Sequence, residues 1–281
     1  LFRSALGATA TAYESFSKAL TLRPGWGDAL EASAYALRDL GQFDAAFAQA
    51  EETVRHEPRR GGAFRLMGIM KMRDQAFEDA ERHFRLALEI DPKDRGSREH
   101  LGLMLDRLGR SDDAIEQLRA TIDLQPEDAV ARYNLACALL KAGQLAEGWR
   151  LYGARNQRDL GFVAQRMFMT PRLAGDLVAG QHVLAWTDQG VGEEIMFASL
   201  IPGVVGQKVR LTVECSPRLV PLFARSFPDV EFFPRTDPPH ERFRGPYAAQ
   251  VGLADTARQL RRDFNAFPRH AGYLKADRSE E

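Results

Sequence analysis

Along the first 160 residues, apolar positions recur at helical spacing and are punctuated at fixed intervals by prolines and small residues. Prolines stand at Pro24, Pro58, Pro92 and Pro126, a step of 34 residues, and Ala12, Ala46, Ala80, Ala114 and Gly148 keep the same step. A fixed period of this size marks a repeat array. Placing the proline at position 32 gives units 27–60, 61–94, 95–128 and 129–162, with a partial unit at 1–26. Position 15 is then Gly7, Gly41, Gln75, Gly109 and Gly143, where a glycine supplies the left-handed or tight backbone needed as one helix stops and the next turns back. Position 20 must be small where two helices cross, and the proline stops the second helix. Large apolar groups at positions 7 and 24, Met67 with Phe84 and Leu101 with Leu118, fill the space between the helices. Each unit is therefore expected to be an antiparallel helix pair that buries its apolar face against its neighbours.

The step lapses after 129–162, where position 32 is Leu160. A linker is expected over 161–179, with Pro171 and Gly175 inside it. From 182 onwards short apolar runs alternate with helical stretches, the pattern of βαβ units with a parallel sheet. The expected strands are His182–Thr187, Val209–Cys215, Val230–Phe233 and Tyr247–Val251, and the expected helices Gly192–Leu200 and Arg218–Phe227. The first strand runs into Asp188, Gln189, Gly190, Val191, Gly192, Glu193 and Glu194, a glycine loop opening a helix. Such a junction suits phosphates. Here Ile195 replaces the third glycine of a dinucleotide fingerprint, and Glu193 and Glu194 would repel a pyrophosphate, so a nucleotide is not expected on this loop.

Charge and composition narrow the function classes. Lys and Arg total 38 against 39 for Asp and Glu, so no field gathers nucleic acid or an anionic bilayer, and neither partner is expected. The uncharged stretch Ile195–Gln207 contains Pro202, Gly203 and Gly206 and is shorter than the ~20 apolar residues of a spanning helix. Cys137 and Cys215 are too few for a disulfide scaffold, and each is expected to be a buried reduced thiol in a cytoplasmic protein. Six histidines show no ligand spacing, so neither a metal nor a cofactor is expected. Arg258, Arg261 and Arg262 read as a solvated helix face.

The registered glycine, small and proline positions resemble the tetratricopeptide repeat. That resemblance covers about 1–158 and implies an α-helical superhelix, an α-α solenoid, whose first helices line a concave groove for a protein or peptide. The groove positions would place Tyr35, Arg38, Arg65, Met72, Arg73, Arg107, Tyr133 and Lys141 on one surface, with Asn134 keeping the asparagine of the O-linked N-acetylglucosamine transferase repeats. Mixed charges there do not build a uniform basic clamp for a terminal carboxylate, and a salt-bridged, solvated face is the alternative. Leu1 falls at position 9 of its unit, which leads us to expect a further repeat upstream.

The segment 148–275 resembles the first lobe of GT-B glycosyltransferases, in particular bacterial proteins that join tetratricopeptide repeats to a heptosyltransferase-like or O-linked N-acetylglucosamine transferase-like domain. The matching pieces are Gly148-Trp149, Trp186 with Asp188 to Gly192, Ile195-Met196-Phe197, Val213-Glu214, Arg218 to Leu222, and Tyr273-Leu274. The resemblance implies a Rossmann-like α/β half domain at 180–281, with Asp188, Gln189, Gly190, Gly192 and Glu194 as its acceptor loop. Relatives hold an aspartate general base where this chain has Glu193. A pair of first-turn acids complementing the helix dipole is the simpler alternative. A nucleotide-sugar is expected only if a second, donor-binding lobe exists, because Glu281 follows soon after Tyr273-Leu274. The sequence thus reads as an interaction array fused to an acceptor-side lobe. It leaves open whether the whole is a scaffold or part of an enzyme.

Overall fold

The computed structural model describes residues 2–156, 166, 168–187, 190–269 and 272–276. The chain forms two compact units, Leu1–Ala131 and Arg132–Glu281.

In the first unit the helices are α1 (Phe2–Leu22), α2 (Gly27–Asp39), α3 (Phe43–His56), α4 (Gly61–Arg73), α5 (Phe77–Ile90), α6 (Arg95–Arg107) and α7 (Ser111–Leu124). Helices α1, α3, α5 and α7 each stop two residues before a proline of the 34-residue series. A residue preceding proline is pushed out of the helical region, so the helix ends there. Between the paired helices, Gly41 and Gly109 sit at φ +77° and +78°. Gln75 takes the same left-handed turn at φ 61°. The phase also puts Ala46, Ala80 and Ala114, all fully buried, at the helix crossings. Cores form between successive units: Ala34, Ala50, Ala63, Leu66, Met67 and Met70 make one cluster. Ala80, Phe84, Leu101, Met104, Leu105 and Ala114 make the next.

Gly7 departs from the expected turn. Helix α1 runs through it from Phe2 to Leu22. A lone glycine costs a helix only about 1 kcal/mol relative to alanine.

The second unit holds most of α8 (Ala129–Lys141), then α9 (Leu145–Tyr152) and a 3₁₀ turn, Gly153–Asn156. Gly143, at φ +77°, turns α8 back into α9, and Gly148 lies against Leu140 of α8. After these come β1 (His182–Trp186), α10 (Val191–Ala198), α11 (Ile201–Gly206), β2 (Arg210–Cys215), α12 (Val220–Ser226), β3 (Glu231–Pro234), β4 (Ala249–Gly252) and α13 (Ala257–Leu260). The four strands are parallel in the order β3-β2-β1-β4. Val183 pairs with Leu211 on one side and with Ala249 on the other. Buried on both faces, β1 reads as a continuous apolar run from Val183 to Trp186, whereas β2 alternates and buries Thr212 and Glu214 between Leu211, Val213 and Cys215. Within the segment expected as a linker, Pro171 and Leu173 bond to Gln250 at 2.8 and 2.9 Å and add a short fifth edge beside β4.

Two expectations are corrected. Cys137 is exposed, because its apolar run winds round a helix and Cys137 falls on the outward side, whereas Cys215 is buried at the end of β2, where burial pushes its thiol up to about 12. Arg261 is not a solvated residue. It is 6% exposed, and its guanidinium donates to the carbonyls of Leu260, Ala266 and Ser199. Helix α13 is a single turn, too short to present the helical face on which the three arginines were placed, while Arg258 and Arg262 are exposed.

Candidate functional site

The first-helix face of the Leu1–Ala131 unit carries a ladder of ion pairs between successive units. Arg60 reaches Asp28 and Glu57 at 2.6 Å each and Glu31 at 3.4 Å. Arg65 pairs with Asp94 and donates to the Tyr35 hydroxyl at 3.0 Å, which itself donates to the Gly62 carbonyl at 3.0 Å. Arg95 pairs with Asp128 and lies 3.6 Å from Glu99. Burial raises the Tyr35 hydroxyl, and the Arg65 charge opposes that rise. Two of the expected groove residues, Tyr35 and Arg65, are thus bonded within the array.

The other groove candidates divide further. Arg38 bonds to Asp39 at 2.6 and 2.8 Å with its guanidinium 4.9 Å from the Tyr35 ring centroid. Arg73 bonds to Asp74 at the same distances and lies 3.9 Å over Phe43. Met72 packs against the Phe84 core cluster, and Arg107 is exposed in the last turn of α6. In the second unit Tyr133 stands 5.6 Å from Tyr152, ring to ring, and burial raises its hydroxyl. Asn134 is half-buried there, and Lys141 is exposed at the end of α8.

In the glycine loop after β1, Asp188 and Gln189 lie outside the described residues. Gly190 precedes α10, and its N–H donates to the Glu193 carboxylate at 3.0 Å. Glu193 is exposed and folded back onto the start of its own helix, a capping box that satisfies an orphan donor. Gly192 has open space around it. Glu194 is 2% exposed and accepts from the Ser216 N–H at 2.8 Å and from Arg235 at 2.6 Å. Arg235 also donates to the carbonyl and hydroxyl of Thr187, at 2.8 and 2.7 Å. Beside it, buried Glu214 pairs with Arg166, and burial raises its carboxyl against the pull of that arginine. Glu194 therefore ties together the carboxyl ends of the strands, and Glu193 is the carboxylate of the pair that meets solvent.

A third constellation escaped the sequence reading. Arg155 is fully buried at the end of the last helical hairpin and donates to the Asp255 carboxylate at 2.5 Å, while Asn156 donates to its other oxygen at 2.7 Å. Among the described residues, no group of three His, Cys, Asp or Glu side chains could hold a metal ion, and no helix is long and apolar enough to cross a membrane.

The family described as "Tetratricopeptide repeat" matches residues 31–95 and 101–153. Protein FlbA of Caulobacter vibrioides (strain ATCC 19089 / CIP 103742 / CB 15) is 31% identical over 155 residues, which are 50% of this chain and 26% of that protein. The chain thus spans about a quarter of this relative's length. Among solved structures, MamA is 20% identical with a TM-score of 0.47, covering 54% of this chain and 89% of its own. YrrB, a TPR protein with an unusual peptide-binding site, is 21% identical with a TM-score of 0.45 over 56% of this chain and 81% of its own. A thermophilic TPR protein of Thermus thermophilus is 25% identical with a TM-score of 0.47 over 56% and 88%. With the 34-residue phase, the left-handed turns at position 15 and the family match in agreement, the helical part of this chain is an array of tetratricopeptide repeats.

Proposed function

We propose that the repeat array binds a protein or an extended peptide along its first-helix face. The observation that carries this reading is the ion-pair ladder of Arg60, Arg65 and Arg95 with acids of neighbouring units, which holds that face in one arrangement and leaves Arg107 exposed beside it. A surface already ordered loses less freedom on binding. Arginine and aromatic groups such as Tyr35 and Arg107 are the residue types that anchor interfaces. Affinity capture with the whole chain and with an Arg38→Glu/Arg107→Glu variant tests it. Specific partners of the wild type should be lost from the variant, and recovery of the same partners in equal amounts would place binding elsewhere.

For the α/β unit we read the acceptor-side lobe of a GT-B-like glycosyltransferase. Supporting this reading are the parallel order β3-β2-β1-β4, whose direction switches between β1 and β4, and the glycine loop leaving β1 at that switch. Glu193 would accept the acceptor's proton once released from its capping bond to Gly190. Any nucleotide-sugar is assigned to a second lobe. Calorimetry with a nucleotide-sugar and this chain should show no tight binding, and tight binding would overturn that division of roles.

A further inference from the structure

Within the Arg132–Glu281 unit, a cavity of about 180 Å³ opens between the end of the helical hairpin, the Pro171–Leu177 segment and the end of β4. Its lining contains polar groups whose bonding is incomplete. Asn156 is 9% exposed, and its amide nitrogen is committed to Asp255, so its oxygen Oδ1 is left buried without a donor. Trp149 presents a buried indole N–H with no acceptor. Gln250, 5% exposed, accepts from the Trp186 indole at 2.5 Å with its amide oxygen, so its NH₂ is the donor end of that side chain.

The acid of the cavity, Asp255, is neutralised by buried Arg155, and of the other arginines lining it Arg150 lies 3.7 Å from Glu147 while Arg258 donates to the Gly175 carbonyl, which leaves Arg172 as the cation to be matched. Arg172 is exposed and has no carboxylate within ion-pair distance among the described residues. The complement is therefore an anion, taken by Arg172 with help from the Trp149 and Gln250 donors, joined to a neutral N–H that satisfies Asn156 Oδ1. A neutral donor fits better than an ammonium, because the acceptor is an uncharged amide and the nearby carboxylate already has its counter-charge. Leu173, Leu177 and Val251 add an apolar wall, and the volume suits one residue.

We propose that this cavity binds the C-terminal residue of a polypeptide, its carboxylate on Arg172 and its backbone N–H on Asn156. The site belongs to the α/β unit and is separate from the first-helix face, so charge reversal at Arg107 leaves it intact.

Calorimetry of the whole chain with acetyl-Ala-Ala-Leu as the free acid and as the amide tests it. The acid should bind and the amide should bind about tenfold more weakly or not at all, the size of effect expected for losing a charge-assisted hydrogen bond. Arg172→Gln, at an exposed position, should fold normally and weaken the acid about tenfold. Trp149→Phe removes the indole donor while keeping an aromatic ring, and identifies the Trp149 N–H resonance, which in the wild type should move with the acid and stay still with the amide. Free leucine binding as tightly as the peptide would reassign the cavity to an amino acid and overturn the proposal. So would equal binding of acid and amide, binding of neither, or unchanged affinity in Arg172→Gln.

Discussion

Alanine at Gly68 separates two effects of opposite sign. In a helix interior, glycine to alanine normally stabilises by about 1 kcal/mol. At Gly68 of α4, however, a Cβ would stand 2.6, 2.8 and 2.9 Å from three ring atoms of Phe84. Carbon pairs are content at about 3.5–4.0 Å. The shortfall is about 1 Å against a ring that is itself fully buried. Overpacking of this kind costs about 1–3 kcal/mol, and three simultaneous overlaps on an enclosed ring belong towards the upper end. After the helix gain, the net loss is about 1–2 kcal/mol. Thermal unfolding of the whole chain, followed by far-UV circular dichroism, should show a melting temperature roughly 2–8 °C lower. Gly7→Ala is the matched control: it lies in α1 with nothing within 4 Å of the added methyl, and should raise the melting temperature. If Gly68→Ala melts at or above the wild type, the packing of α4 on α5 described above is wrong.

Gln75→Gly should stabilise by up to about 1 kcal/mol, since glutamine takes a left-handed turn that its three counterparts give to glycine, and an unchanged urea midpoint would show that the strain at φ 61° is negligible. Burial lowers the His83 and His100 imidazoles below their ordinary value, with Arg82 adding to the effect at His83 and Arg65 at His100. The unfolded chain therefore takes up protons first as pH falls, and stability present above about pH 6.5 should decline below it until the folded histidines protonate too. A urea midpoint that stays flat from pH 7.5 to 5.5 would contradict this. Asp255→Asn should cost about 3 kcal/mol by removing the carboxylate that faces the fully buried Arg155, visible as a lowered midpoint for the Arg132–Glu281 unit, and near-wild-type stability would mean that the pair is dispensable.

Much of the helical part was legible because its rules are local and repeated. Proline at position 32 stops each second helix, and the phase alone placed Gly41, Gly109 and Gly143 at tight turns, which the structure makes left-handed. The same phase carried Gln75 into that turn against its own preference, and failed at Gly7, which α1 runs straight through. The strands were legible as short segments bounded by helical stretches, β1 by its apolar run, and their parallel pairing followed from the alternation with helices. The charged network was not. Arg65 and Asp94 were visible as charges, but their pairing depends on how successive units stack rather than on any spacing within one helix. Arg155 and Asp255 are 100 residues apart, and nothing local distinguishes them from solvated surface charges. The cavity at Asn156 is hidden for the same reason, being assembled from three separate stretches of chain.

The bond between Arg155 and Asp255 fastens the last helical hairpin to the strand-bearing fold, whereas each hairpin upstream meets others of its own kind. Insertion or deletion of whole 34-residue units ahead of Ala131 would leave every partner of that bond in place. A change in the number of upstream units need not disturb that bond, so the length of the array and the anchoring of its final hairpin are set by different stretches of the chain.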